Sequence, residues 1–267
     1  MNRDPLERVE ALMREAADRA ILPRFRLLAE HEVEEKSPGE LVTAADRDSE
    51  AILTAGLAGL IEGARVVGEE ACAVDPALME GLDQGLVWLV DPLDGTSNFA
   101  AGEEVFAVMV ALLRDGTTVA GWMLDPLSGR LARAERGAGA WLGGERLVAP
   151  PHRPGTALRG SIGRFMPAAM EQEVVRRARA GGELLPMLKC AGADYPLLAL
   201  GERDFVFYWR TLPWDHAAGA LFLEEAGGKA VRPDGSAYQP ASRGSGLLAA
   251  STPEAWEEAH RRLLGNA

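Results

Sequence analysis

The chain of 267 residues has only two cysteines, Cys72 and Cys190, and they stand far apart. Without a CxxC pair or zinc-type spacing, neither a disulfide framework nor a structural zinc site is expected. Both thiols read as small buried apolar side chains. Basic residues are in deficit too: 28 Lys and Arg stand against 40 Asp and Glu, a net charge of −12. A chain that neutralises nucleic-acid phosphates normally carries the opposite excess, so nucleic acid is not the expected partner. No apolar run is long enough to cross a bilayer, which removes the membrane as a partner. The opening "MNRDPLERVEALMREAADRA" is charged throughout and lacks a secretory signal's apolar centre, so a soluble cytoplasmic protein is expected. His31, His152, His216 and His260 show no ligand spacing, and His216 is expected on a helix surface.

What is present is a globular composition, 47% hydrophobic and 25% charged, enough to bury a real core. Asp4-Pro5 starts a helix, and Leu6, Val9, Leu12, Met13, Ala16, Ala20 and Ile21 recur along one of its faces. A second helix is expected from about Asp46, after the polar loop "EEKSPGELVTAAD". Strands are expected at "ARVVGEE", "LVWLV", "VFAVMVALL", "TVAGWML", "LARAERG" and "AWLGGERL", an antiparallel meander punctuated by Gly and Pro turns. Beyond the Pro-rich stretch 148–156, strands ("LRGSIGRF", "PMLKC", "DFVFYW", "GLLAA") alternate with helices. That stretch is the natural boundary between an N-terminal half, 1–148, and a C-terminal half, 149–267, the two forming one compact unit.

The segment "WLVDPLDGTSNFA" (88–100) ends an apolar strand in two acids and a glycine. Asp91 falls at the strand tip, and Asp94 follows across a Pro-Leu bend. Gly95 allows close approach of a ligand, and Thr96-Ser97-Asn98 looks like the first turn of a helix. Paired carboxylates attract Mg²⁺ and helix N-termini attract phosphate, the combination that metal-assisted phosphoryl hydrolysis needs. An ordinary capped turn accounts for the same residues. An EF-hand loop does not, since Leu93 and Gly95 fall where it needs side-chain oxygens.

"DPLDGTSNF" resembles the signature of the inositol monophosphatase family, Asp-Pro-(Ile/Leu)-Asp-Gly-Thr-x-Asn-Phe. Three further stretches match in order: "KSPGELVTAAD" (36–46), "VVGEE" (66–70) and "PWDHAAGALFLEEAGG" (213–228). The resemblance runs over nearly the whole chain. It implies an α/β fold, a layered αβαβα sandwich similar to inositol monophosphatase and fructose-1,6-bisphosphatase. It also implies a homodimer, lithium inhibition, and hydrolysis of a small phosphate ester with two or three Mg²⁺ ions. Carried over residue by residue, Glu69, Asp91 and the Leu93 carbonyl bind one ion, and Asp91, Asp94 and Asp215 a second. Glu69 and waters hold a weaker third ion. Thr96 and Asp46 orient or deprotonate the attacking water near it, and the amides of Gly95 and Thr96 cradle the phosphate. On the residues alone, Asp46 and Asp215 read equally well as helix caps, Glu69-Glu70 as a solvated pair and Lys36 as a surface lysine.

The alcohol side departs from the family pattern. Seven residues before Asp215, where a glutamate commonly holds inositol hydroxyls, stands Tyr208. "LKCAGADY" (188–195) replaces a Gly-Ser/Thr-Ala-Ala stretch; Ala191 fits it and Lys189 and Cys190 do not. Ala191 and Tyr208 are the expected substrate contacts. The alternatives to inositol 1-phosphate are histidinol phosphate, a sugar phosphate or a 3′-phosphonucleotide, with Lys189 and Arg210 as charges for a second phosphate or as surface residues. Ser97-Asn98 stands where the nucleotidase branch commonly has Lys-Glu. A regulatory protein that has kept the fold is the reading from another class.

Overall fold

A computed structural model describes residues 3–37, 39–152, 155–242 and 244–265, without the side chains of residues 3–6 and 30. The expected Asp4-Pro5 start, Leu6, Pro38 of the polar loop and Arg153-Pro154 of the 148–156 stretch therefore lie outside the described residues or side chains.

Helix α1 (Arg3–Ala16) runs into a wider π turn (Ala17–Ile21) and buries Val9, Met13, Ala16, Ala20 and Ile21 on one face, as the spacing predicts. A hairpin of β1 (Val33–Ser37) and β2 (Glu40–Thr43) leads into α2 (Ala44–Leu57). Thr43 and Asp46 close a reciprocal capping box there, typically worth about 1 kcal/mol.

Strands β3 (Arg65–Gly68), β4 (Leu86–Asp94), β5 (Ala107–Arg114), β6 (Thr117–Leu124), β7 (Leu131–Glu135), β8 (Gly139–Leu142) and β9 (Glu145–Leu147) form one sheet in chain order. Only β3 pairs parallel, with β4; the rest is the expected meander. Its period of two explains why "LVWLV" has no polar residue. Trp88 and Val90 pack with α1 and α2, while Val87 and Leu89 pack on the opposite face, against α6 (Ala191–Ala199) and α7 (Pro213–Ala226).

A second sheet, in the order β11 (Gly182–Leu184), β10 (Leu158–Ile162), β12 (Phe205–Tyr208), β14 (Leu247–Ala250) and β13 (Lys229–Val231), covers the other side of α6 and α7. Val206 and Tyr208 face those helices, whereas Phe205 and Phe207 face outward onto α5 (Ala168–Gly181) and α8 (Pro253–Leu264). The layers are therefore helix, sheet, helix, sheet, helix. A Cβ on Gly121 of β6 would meet Ala218 Cα at 2.7 Å, so only glycine lets α7 approach the first sheet this closely. The boundary proposed at 148/149 separates the strands of the first sheet from those of the second.

Three local expectations are corrected. Glu69 and Glu70 open α3 (Glu69–Val74) instead of closing a strand. "PMLKC" is no strand: Pro186 lacks an amide donor, Lys189 is left-handed (φ 56°), and β10's open edge is taken by β11. His216 is buried, at 2% exposure, because α7 is a central helix with sheets on both sides. Among the described residues no helix is long and apolar enough to cross a membrane.

Candidate active site

Strand β4 runs through both acids of its motif rather than ending at Asp91. Asp91 pairs with Met109 and Asp94 with Ala107, so β4 has one residue more than β5 between these pairs. In a regular strand, residues three apart point to opposite faces; this bulge turns both carboxylates to one side. Ser49 of α2 donates to the Pro92 carbonyl at 2.9 Å and holds the bulge. Gly95 follows with φ 87°, and a Cβ there would lie 2.9 Å from the Val105 carbonyl. It ends the strand and caps α4 (Thr96–Ala100): its carbonyl takes the Asn98 and Phe99 amides, and the amides before them stand at the helix's open end. Phe99 packs edge-on against Phe106 at 5.1 Å and anchors α4.

Two other elements bring acids to this point. Glu69 is the first residue of α3, and buried Glu50 accepts from the Glu70 and Ala71 amides, both at 2.8 Å, fixing where α3 begins. Asp215 is the third residue of α7, after Pro213. Leu212 is the capping position, so Asp215 is not the cap that its place before an Ala-rich helix suggests. One oxygen from each of Glu69, Asp91 and Asp215 lies within 4.8 Å of the others, the one such acidic trio among the described residues. Burial, then the charges of Glu69 and Asp94, push Asp91 and Asp215 well above the usual carboxylate range.

Three converging hard oxygen donors whose charged forms are disfavoured until a cation joins them fit a divalent ion of the Mg²⁺ type. Lys36 partly answers that charge, with Nζ 2.8 Å from Glu69 Oε1 and 2.6 Å from Glu70 Oε1. It is thus a wall of the site and not a free surface lysine, and Glu69-Glu70 is no solvated pair. Asp94 lines the same cavity but is turned partly aside: its Oδ2 accepts from the Gly192 amide at 2.6 Å, in the first turn of α6. Burial raises the Asp94 carboxyl to about 6 although that amide opposes the shift.

Behind the cavity lies Asp46, only 1% exposed. Its Oδ2 accepts from the Thr43 amide at 2.8 Å, and its Oδ1 from the Thr96 hydroxyl at 2.9 Å. Asp46 therefore serves the capping box and touches Thr96 as well. Burial lifts its carboxyl to about 6 against the hydrogen bonds from Thr43 and Thr96. Leu93 O lies 3.0 Å from the Thr96 hydroxyl. Leu93, Gly95, Thr96, Ala191 and Tyr208 all line the cavity with the four acids of the expected site.

On the alcohol side the structure adds residues that sequence reasoning missed. The Tyr208 hydroxyl donates to Asp194 Oδ2 at 3.3 Å, and its ring lies 4.5 Å from that of His216. Asp194 lines the cavity at 1% exposure; burial raises its carboxyl to about 7, with Arg203 opposing. His216 Nδ1 is 3.0 Å from the Tyr195 hydroxyl and Nε2 is 3.2 Å from the Arg210 carbonyl; burial lowers the imidazole to about 4, keeping it neutral. Both Lys189 and Arg210 line the cavity.

A model described as "Inositol monophosphatase family" matches residues 3–266. An inositol-1-monophosphatase of Mesorhizobium japonicum is 35% identical over 243 residues, covering 85% of this chain and 84% of its own. Nus factor SuhB of Escherichia coli K12 is 32% identical over 207 residues, with 74% and 73% covered. Among solved structures, extragenic suppressor protein suhB from Bartonella henselae superposes with a TM-score of 0.81 at 26% identity, over 97% of this chain and 99% of that one. An inositol monophosphatase from Zymomonas mobilis gives 0.81 at 23% identity, covering 98% of each chain, a likeness of fold.

Proposed function

The chain belongs to the inositol monophosphatase family, and from that membership we propose that it is a Mg²⁺-dependent phosphomonoesterase acting on a small phosphate ester, with water as the nucleophile. The observation that carries this reading is the convergence of Glu69, Asp91 and Asp215 beside the first turn of α4. Glu69, Asp91, Asp94, Asp215 and the Leu93 carbonyl are the residues that would hold two or three ions. Bound Mg²⁺ supplies charge neutralisation at the phosphoryl oxygens and lowers the pKa of water towards neutrality.

The remaining work falls to the chain. Thr96 at the cavity wall hydrogen-bonds Asp46 behind it, and a carboxyl poised near 6 can accept a proton around neutral pH. The Thr96 hydroxyl has one proton and two oxygen neighbours, so it can orient a water through its own lone pairs. The amides of Gly95 and Thr96 open α4 and would receive the phosphate. Homodimer formation, lithium inhibition and a cytoplasmic location belong to the same family reading; light scattering and an inhibition curve test the first two.

Inositol 1-phosphate is the reference substrate, because several relatives bear the name inositol-1-monophosphatase. The test is hydrolysis of inositol 1-phosphate, histidinol phosphate, fructose 1,6-bisphosphate and a 3′-phosphonucleotide by wild type and Asp91→Asn. Mg²⁺-dependent release of phosphate from at least one ester, lost in the variant, is expected; equal rates in the two proteins would refute the metal assignment. Relatives named Nus factor SuhB support a second, regulatory reading. Negligible turnover on every ester, with recovery of transcription proteins in a pull-down, would place it first.

A further inference from the structure

Four cationic side chains line the cavity: Lys36, Arg164, Lys189 and Arg210. Two are answered by carboxylates, Lys36 by Glu69 and Glu70, and Arg210 by Glu40. Lys189 and Arg164 form no ion pair among the described residues, in a chain with a large excess of acids. The Phe165 ring lies within cation–π distance of two guanidinium groups, 5.0 Å from Arg164 and 4.0 Å from Arg210, at the same wall.

The backbone at Lys189 is pinned from both sides by the metal-binding motif. Asn98 donates to the Leu188 carbonyl at 2.8 Å, and Asp94 accepts from the Gly192 amide at 2.6 Å. Between these anchors Lys189 is held with φ 56°, a region that lysine rarely adopts and glycine accepts freely. An exposed, unpaired cation on an anchored backbone at the wall of the cavity is what an anionic group on the substrate would use.

Resting on the phosphatase reading above, we infer that the preferred ester carries a second anionic group on its alcohol side, received by Lys189 with Arg164 beside it. The substrate class is a sugar or nucleoside bisphosphate, or a phosphorylated hydroxy acid, and a cationic alcohol such as histidinol is disfavoured.

Matched pairs test the subsite. Fructose 1,6-bisphosphate against fructose 1-phosphate adds a phosphate; 2-phosphoglycerate against glycerol 2-phosphate adds a carboxylate. In wild type, kcat/KM for the more anionic member of at least one pair should exceed its partner's by about 10- to 100-fold, the usual range for one charge-assisted contact. Lys189→Gly, which suits the left-handed backbone, should shrink that ratio at least tenfold, and Lys189→Arg should retain most of it. Ratios near one in both pairs, or a ratio unchanged in Lys189→Gly, would overturn the inference while leaving the phosphatase intact. If no ester turns over, the phosphatase reading fails by itself. Calorimetric binding of fructose 1,6-bisphosphate and fructose 1-phosphate then decides the subsite, and equal affinities overturn it.

Discussion

The Thr96 hydroxyl lies 2.9 Å from Asp46 Oδ1, joining the first turn of α4 to a buried carboxylate fifty positions earlier. Asp46 is also the acid of the α2 capping box, so the group that would accept a proton is immobilised by the start of a helix.

Asp46→Asn keeps the size and the hydrogen-bonding oxygen but cannot take a proton. Its kcat should fall by about a hundredfold or more, the usual contribution of a general base, with KM changed only a few-fold. Steady-state kinetics with any ester the wild type hydrolyses reads this directly. A variant at full kcat would leave Asp46 as a cap alone.

Chelation separates stability from activity at the acidic trio. Asp91 and Asp215 are raised well above their usual range by burial and by neighbouring acids, so their charged forms strain the metal-free fold. Asp215→Asn should therefore melt about 2 to 8 °C above wild type in EDTA, from roughly 1–2 kcal/mol of relief in a chain of this size. Added Mg²⁺ should stabilise wild type clearly and the variant much less. Thermal melts with and without the ion decide it; an equal Mg²⁺ shift in both would remove Asp215 from the ligands.

Lysine at φ 56° costs on the order of 1 kcal/mol that glycine does not. Lys189→Gly should thus raise the melting temperature by about 2 to 4 °C even as it weakens selection of the more anionic ester. Calorimetric scans of the two proteins provide the comparison, and a lower melting temperature would mean that the lysine side chain itself holds the segment.

Asp194 gives a pH signature. Its folded pKa of about 7 stands above the ordinary value of 3.8, so its contribution to stability is full below about 4 and is lost as pH rises through 7. Asp194→Asn cannot titrate, so wild type should lose stability relative to the variant between pH 4 and 7, by on the order of a few kcal/mol. The attraction of Arg203, 3.6 Å away, acts on the ionised carboxylate and is already contained in that folded value, so exchanging the protonated acid for an amide adds only a constant offset. Denaturant melts across that range measure it; parallel curves would show that Arg203 keeps Asp194 ionised throughout.

Legibility in the sequence followed the range of the interactions. Strand β4 and the apolar faces of α1 and α2 arise from local periodicity and were readable, as was the Thr96 helix start. Family motifs placed Glu69, Asp91, Asp94 and Asp215 at one cavity, although no spacing rule could converge residues from three elements. Glu50 was missed because it caps α3 from a helix twenty residues earlier, where an acid reads as solvated. His216 looked exposed because a polar residue on an Ala-rich helix gives no sign of sheets on both sides. "PMLKC" had the composition of a strand, and contacts that local composition does not show, β11 on the open edge of β10 and Asn98 on the Leu188 carbonyl, add to Pro186 and the left-handed Lys189 in keeping it from being one.

Asp94 binds the Gly192 amide, and the same short stretch of backbone carries Lys189. Cation and substrate would therefore press on one shared piece of chain. Linkage makes such an effect mutual: by whatever factor a bound ion alters the affinity for an anionic ester, the ester alters the affinity for the ion by the same factor. With Asp94 on the ion and Lys189 on the ester, that single hydrogen bond would be the route by which the metal and the far end of the substrate influence each other.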